Sequence, residues 1–583
     1  MVPVLWKVMF ESMMWLLMLK YLHAGALMFK SNGIKSLAMG EAQFKGDEKM
    51  KLTDEGLRNG NWKEKSYNLL SFDRKKVVEA TAKNPMWVHF GAGNIFRIFP
   101  ARRCQELLNA GLCDRGIIVG EGFDYEIISK AYAPFDNLTL MVTLKADGTI
   151  DKDVVGSVTE AYPCSNREFP EEWKRFVEIF ENPSLQMVSF TITEKGYALR
   201  NQKGEFFPGY VEDFSKGPEN GAMLFSRITN LLYRRYQNNA APIALCSMDN
   251  CSHNGEKVAA AVKTIAGKWL EKRYVDQGFV DYLNSDKVSY PWSMIDKITP
   301  RPDRSVSDML AQDGFEDADL IITNRNTYTA AFVNAEECEY LVIEDDFPNG
   351  RPALEKAGVY FTDRDTVNKV EKMKVCTCLN PLHTALAVYG CLLGYELISA
   401  EMKDAELSEM VRRIGYEEGL PVVVDPKIIN PRGFIDEVVG KRLPNPFMPD
   451  TPQRIATDTS QKLPIRFGET IKAYIREGRN LDDLKLIPLV YSGWMRYVLG
   501  IDDEGAEFTP SSDPLLDYAR GLLKHVKLGS TVTVDEIEPL LRDSSIFGVD
   551  LVEAGLADKV VDGLNELLAG PGAVRATLRK HLA

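Results

Sequence analysis

A chain of 583 residues is too long for one ordinary core, so at least two domains are expected. Hydrophobic residues make up 45% and charged residues 26%, the balance of a soluble globular protein. The 83 acidic residues outnumber the 70 basic ones and give a net charge of -13. That excludes a nucleic-acid partner, which needs a basic face, but a few local cations suffice to hold a small anion.

The nine Cys are scattered without CxxC spacing, which fits a reducing compartment and a cytoplasmic protein. The six His form neither HExxH nor another close ligand pair, so no metal is expected. Residues 1–49 differ from the rest. Their Met-, Trp- and Leu-rich start has a longest clean apolar run of only 13–19, far short of the ~20 residues a membrane helix needs. They read as an upstream extension, and no membrane partner is expected.

The α/β pattern starts near Met86. MWVHF is a short apolar strand, GAGN a turn, IFRIFPARRCQELLNAG an amphipathic helix closed by Gly111, and GIIVG a second strand. Strand, Gly-rich turn, helix, strand opens a doubly wound sheet. Gly91 lets the chain turn tightly, and Gly93 lets a pyrophosphate approach the backbone at the helix N-terminus. Asn94 opens that helix, and Arg97 lies one turn in, within reach of a phosphate. Glu121, at the end of the second strand, is expected to accept from ribose hydroxyls and to favour NAD over NADP. The third Gly of the usual fingerprint is absent.

Further strands follow at 186–192 and 242–247, alternating with helices at 220–236 and 255–274. From about Asp363 the chain is mostly helical, as at 381–397, 405–417 and 484–499. The expected fold is an α/β Rossmann-type N-terminal domain (50–362) followed by a mostly α-helical C-terminal domain (363–583).

Three segments carry candidate chemistry. Ser247-Met248-Asp249-Asn250 follows directly on a strand, where open α/β sheets place ligands. Met294-Ile295-Asp296-Lys297-Ile298-Thr299-Pro300-Arg301 reads by itself as a surface loop. In Lys374-x5-Asn380-x2-His383, Asn380 is a good N-cap before Pro381, and His383 falls in the first turn. Singly, these are a turn Asn, a solvated Lys, a capping Asn and a satisfied His. Together they suit metal-free oxidation of a secondary alcohol. That reaction needs a base, for which a Lys serves, and donors for the developing oxyanion, for which Asn side chains serve.

These motifs resemble the mannitol dehydrogenase family of polyol-specific long-chain dehydrogenases, which includes fructuronate and tagaturonate reductases. The resemblance runs from about Trp87 into the C-terminal region. It is carried by HFGAGNIFR, TITEKGY (191–197), SMDNCSHNG, MIDKITPR, VIEDDFPNGRPALEKAGVYF (342–361) and the Lys-Asn-His spacing. It implies Lys374 as general base, Asn250 and Asn380 as oxyanion holders and His383 as a substrate contact. It also implies NAD, no metal, and a sugar acid or polyol as substrate, with Asp296 among the substrate-binding residues. The family's Gly-Ser after the second Asn is here Pro381-Leu382. TSQKLPIR (459–466), SGWMRYVLGIDDEG (492–505) and DSSIFGVDL (543–551) are most similar to fructuronate reductases. Lys462 and Arg466, four apart, are the candidate cations for a substrate carboxylate. A polyol dehydrogenase and a non-catalytic nucleotide-binding protein are the competing expectations.

Overall fold

The computed structural model describes residues 49–58 and 61–583. The expected extension lies outside the described residues except for Lys49, whose ammonium pairs with Glu316 at 2.7 Å. Met50 is already core: it is fully buried and bridges to Phe315.

Six strands form the main sheet: β1 (Trp87–Phe90), β2 (Ile117–Glu121), β3 (Val158–Pro163), β4 (Met187–Phe190), β5 (Ile243–Ser247) and β6 (Val288–Ser289). All neighbours are parallel, in the order β3-β2-β1-β4-β5-β6. This is the Rossmann order, with its ligand crevice at the C-terminal ends where the order reverses between β1 and β4. The strands are continuous apolar runs because helices cover both faces: every residue of β1, β2, β4 and β5 is buried.

The helix after β1 departs from expectation. It runs Asn94–Ile98, breaks at Phe99 and resumes at Pro100–Asn109. Proline lacks an N–H and crowds the preceding turn, so the break falls at Pro100. Gly111 ends the second piece with φ 67°.

Three smaller sheets were not foreseen. One joins Tyr67–Asn68, Ile150–Val155, Thr139–Leu144 and Phe332–Ala335, and a second joins Ser293–Asp296, Tyr340–Glu344 and Tyr360–Thr362. The third is the hairpin Leu320–Ile322 with Tyr328–Ala330. The second overturns the surface-loop reading for 294–296, whereas 297–301 are a loop that ends on the exposed Arg301. Its strand Ser293–Asp296 is buried throughout, with Met294 in the helical core and Ile295 in the Rossmann core.

After Thr362 the described residues are helices and loops, apart from one isolated bridge between Ile501 and Glu507. The helical run Arg364–Leu392 is long and apolar enough to cross a bilayer, but 78% of its apolar window is buried in the fold, as in a core helix. Among the described residues after Thr362, four segments have π-helical hydrogen bonding, including Lys374–Cys378, Val438–Arg442 and Pro464–Gly468. Each inserts an extra residue into a turn, a feature frequent at functional sites.

Candidate active site

The Gly-rich turn is held from below by a chain of donors. Trp87 Nε1 donates to Ser189 Oγ at 2.7 Å, and Ser189 Oγ lies 2.7 Å from His89 Nδ1. His89 Nε2 lies 2.9 Å from Thr191 Oγ1, which donates to the Gly91 carbonyl. Indole only donates and the Gly91 carbonyl only accepts, so the directions assign His89 as the Nε2–H tautomer. Burial pushes its pKa well down, which keeps it neutral. The sequence signal for this chain is the polar His89, Ser189 and Thr191 within otherwise apolar strands.

Gly91 has φ +109°, and a Cβ there would stand 2.1 Å from the Thr191 carbonyl oxygen. Gly93 has nothing within 4 Å of a Cβ. The turn therefore fits a dinucleotide: one glycine is required by the fold and the other leaves an open approach to the helix N-terminus. Gly93→Ala is expected to melt near the wild-type temperature yet raise the NADH Kd by about tenfold or more, a loss of ~1.4 kcal/mol. Gly91→Ala is expected to lower the melting temperature, because the new methyl meets backbone. Calorimetry on both variants checks this, and unchanged NADH affinity in Gly93→Ala contradicts the turn's role.

Two residues expected at the cofactor are otherwise engaged. Arg97 is fully buried and points away from the turn's open side. Its guanidinium donates to Thr139 and Thr329 hydroxyls and to the carbonyls of Ala131 and Ala331, and it lies over the Tyr132 ring. It ties the first helix to the strand Thr139–Leu144 and to the hairpin strand Tyr328–Ala330, and is not a phosphate ligand here. Glu121 stands at the end of β2 as expected, but its carboxylate folds inward. Oε2 accepts from Ala92 N–H at 2.8 Å, and Oε1 from the N–H groups of Phe123 and Asp124 at 2.7 and 3.0 Å. Burial pushes this carboxyl up against those donors. Glu121 therefore shapes the turn, and most of its accepting capacity is used before a ribose arrives. Asn94 is half-exposed at the helix start, linked to Tyr328 and Thr329.

The catalytic candidates converge. A cavity of about 150 Å³ is lined by Asn250, Asp296, Lys374, Asn380 and His383, with Arg442 and Asp450 beside them. The π-helical turn at Lys374–Cys378 and a break at Leu379 (φ -125°, ψ -61°) turn Lys374 and Asn380 to the same space. Lys374 Nζ lies 2.7 Å from Asp296 Oδ1 and 3.4 Å from Asn250 Oδ1. Asn250 is exposed on the loop after β5. That loop is braced by the buried Asn254, which donates to Asp249 and Ser293 and accepts from Ser293 N–H. Asn380 is not the N-cap. It is the first helical residue, its side chain makes no capping bond, and its amide stays available to the cavity.

His383 is pushed down to about 4 by burial, with the Asp450 carboxylate 3.6 Å away opposing the shift. Its buried Nε2 has no hydrogen-bond partner. A neutral imidazole with an unmatched nitrogen at a cavity wall suits a substrate hydroxyl. Burial disfavours the Asp296 charge, but Lys374 and Arg442 outweigh it and hold the carboxyl below its ordinary value.

Lys462 and Arg466 do not line this cavity. Lys462 Nζ donates to the carbonyls of Ile455 and Thr457. Arg466 donates to the Thr384 hydroxyl and, at 3.4 Å, to the Asn380 carbonyl, directly behind the catalytic helix start. Burial lowers Lys462 to about 8 and Arg466 to about 10. The nearby Arg442, on the π-helical segment Val438–Arg442, was missed. A lone Arg in GKRLP carries no motif, and only the fold brings it to Asp296.

Two family models cover the chain: the mannitol dehydrogenase Rossmann domain over residues 85–356 and the mannitol dehydrogenase C-terminal domain over 366–568. The chain belongs to the mannitol dehydrogenase family. It is 51% identical over 514 residues to D-mannonate oxidoreductase of Thermotoga maritima, covering 87% of this chain and 94% of that one. It is 28% identical to mannitol 2-dehydrogenase of Cereibacter sphaeroides, covering 77% and 88%. Among solved structures, a substrate-free D-sorbitol dehydrogenase matches with TM-score 0.72 at 24% identity, covering 88% of this chain and 97% of that one. The mannitol 2-dehydrogenase of Pseudomonas fluorescens, in a ternary complex with NAD and D-mannitol, matches with TM-score 0.65 at 24% identity, covering 91% and 99%. These two share the family's fold, a Rossmann domain followed by a helical one.

Proposed function

We propose that this protein is an NAD-dependent, metal-independent oxidoreductase that interconverts D-fructuronate and D-mannonate. Residues 50–362 hold the cofactor and residues 363–583 complete the substrate site. The long match to a D-mannonate oxidoreductase supports the choice of substrate. The observation that carries the sugar-acid reading is the state of Lys462 and Arg466. Among the described residues neither has a carboxylate within ion-pair distance, although acids outnumber bases 83 to 70. A mostly buried guanidinium without a counter-charge, backing Asn380 and raising the positive potential at His383, favours an anionic substrate. The unpaired thiols fit a cytoplasmic enzyme acting on a free small molecule.

Gly91, Gly93 and Asn94 hold the dinucleotide at the turn, and its nicotinamide, when bound, takes up or supplies the hydride. The chain's own residues handle the oxygen and its proton. In the oxidative direction Lys374 Nζ accepts the hydroxyl proton. In the reductive direction it returns that proton to the carbonyl oxygen. Asn250 and Asn380 amide groups donate to that oxygen while it carries charge. His383 Nε2 and Asp296 hold neighbouring hydroxyls.

Arg466→Ala is expected to raise KM for fructuronate by about threefold or more, the loss of a cation that acts on the cavity through space from behind Asn380 and not by direct contact. Arg466 also holds the Asn380 carbonyl, so fructose serves as the control. It uses the same Asn but has no carboxylate, and its KM is expected to change little. Equal losses on both substrates contradict the carboxylate assignment.

A further inference from the structure

From Lys374 and Asp296 the cavity floor continues into a buried file of alternating charges, whose further members, Arg442 and Glu336, the mechanism above does not use. Asp296 divides its carboxylate: Oδ1 faces Lys374 Nζ at 2.7 Å, and Oδ2 faces Arg442 Nη1 at 2.5 Å. Arg442 Nε in turn meets Glu336 Oε2 at 2.9 Å. The other Glu336 oxygen accepts from Ile298 N–H at 2.6 Å, and the Glu336 carbonyl accepts from Lys297 Nζ at 2.8 Å. Lys374, Asp296, Arg442 and Glu336 are 3%, 5%, 5% and 1% exposed, so water screens these charges poorly. Asp296, Lys297 and Glu336 come from the Rossmann half, whereas Lys374 and Arg442 come from two π-helical segments of the helical half.

This arrangement answers a chemical difficulty. A carboxylate 2.7 Å from an amine favours the ammonium, yet a base must be able to lose that proton. Arg442 shares the same carboxylate and opposes its pull on Lys374. Glu336 shares Arg442 and limits how strongly it does so. Resting on the assignment of Lys374 as base, we propose that Arg442 and Glu336 are positioning residues that set how firmly Asp296 holds the proton on Lys374.

Glu336 meets Arg442, Asp296, Lys297 and the Cys338 thiol. Lys297 is itself paired with Glu339 at 2.6 Å and faces Arg102 and Arg103. Cys338 also faces Glu437, and Asp296 additionally meets Lys374 and the Tyr340 hydroxyl. Burial opposes the Arg442 charge, but the two carboxylates override it and Arg442 stays protonated. Burial pushes the Glu336 carboxyl up, with Arg442 pulling it back.

The test is the pH profile of kcat for D-mannonate oxidation by the full-length enzyme at saturating NAD. The acid limb of that profile reports protonation of the catalytic base. Arg442→Gln removes the cation that offsets Asp296, so the acid limb is expected to move up by about one pH unit. Glu336→Gln removes the anion that restrains Arg442, so the limb is expected to move down, by about half a unit because the charge is one position further away. A residue that only supported the fold would not produce opposite signs from adjacent positions. Unchanged limbs, or shifts in the same direction, overturn the proposal. If Arg442→Gln fails to fold, the near-isosteric Glu336→Gln decides alone: a downward shift supports the proposal, and no shift or an upward one overturns it. Lys374→Ala separates the two layers of argument. If it is inactive while both limbs stay at the wild-type position, the base stands and only the roles of Arg442 and Glu336 fall.

Discussion

Lys374→Ala is expected to lose about 10²- to 10⁴-fold in kcat, the usual contribution of a positioned acid–base group. The variant removes the ammonium that, alone among the described residues, reaches both Asp296 and Asn250 in the cavity. The substrate proton then has no placed acceptor. NADH affinity is expected to hold, because the Gly91–Gly93 turn lies at the end of β1 and owes nothing to the helical segment that carries Lys374. Stopped-flow hydride transfer and NADH fluorescence titration separate the two effects. Near-normal turnover in Lys374→Ala removes the mechanism. Lost NADH binding would instead mean that the substitution damaged the fold, and Lys374→Met would then be the better probe of the base.

Asn380→Ala and Asn250→Ala are each expected to lower kcat by about 10²- to 10³-fold, the cost of removing one donor to a developing oxyanion. The two differ in their surroundings. The Asn380 side chain makes no bond to its own helix, so its removal costs little stability. Asn250 accepts from Lys374 Nζ at 3.4 Å, so its loss also frees the ammonium to move fully onto Asp296. The double variant Asn250→Ala/Lys374→Ala is therefore expected to be barely worse than Lys374→Ala alone, since groups acting as a unit are not additive. Losses below about threefold in both single Asn variants contradict the oxyanion assignment.

The parts of the fold legible in the sequence were those with local periodicity. β1, the Gly turn and β2 announce themselves as an apolar run, glycines and a second apolar run, and the helical half follows from its apolar spacing. What stayed hidden depends on contacts distant in sequence. The strand Ser293–Asp296 mixes polar and apolar residues because one face meets the helical core and the other the Rossmann core, so no alternation is visible. Arg97 looks like a phosphate ligand until Thr139 from the four-stranded sheet and Thr329 from the hairpin claim it. Glu121 sits at the right strand end, but nothing in IIVGEGFD foretells that its carboxylate will cap three backbone N–H groups. The Lys-Asn-His spacing was readable. The π-helical turn that lets Lys374 and Asn380 share one cavity was not, since Pro381 accounts for a break in the helix but not for its extra residue. Arg442 lies 68 residues beyond Lys374 and 146 beyond Asp296, so only the folded chain joins the three.

The purified enzyme is given NADH with D-fructuronate, D-tagaturonate or D-fructose in parallel, and kcat/KM is read from NADH oxidation at 340 nm (about the usual wavelength for reduced nicotinamide). The highest kcat/KM is expected on fructuronate, with fructose lower by about threefold or more, because the positive potential that Arg466 raises at the cavity then has no carboxylate to act on. A higher kcat/KM on fructose than on either uronate, or no NADH oxidation with any of the three, would contradict it.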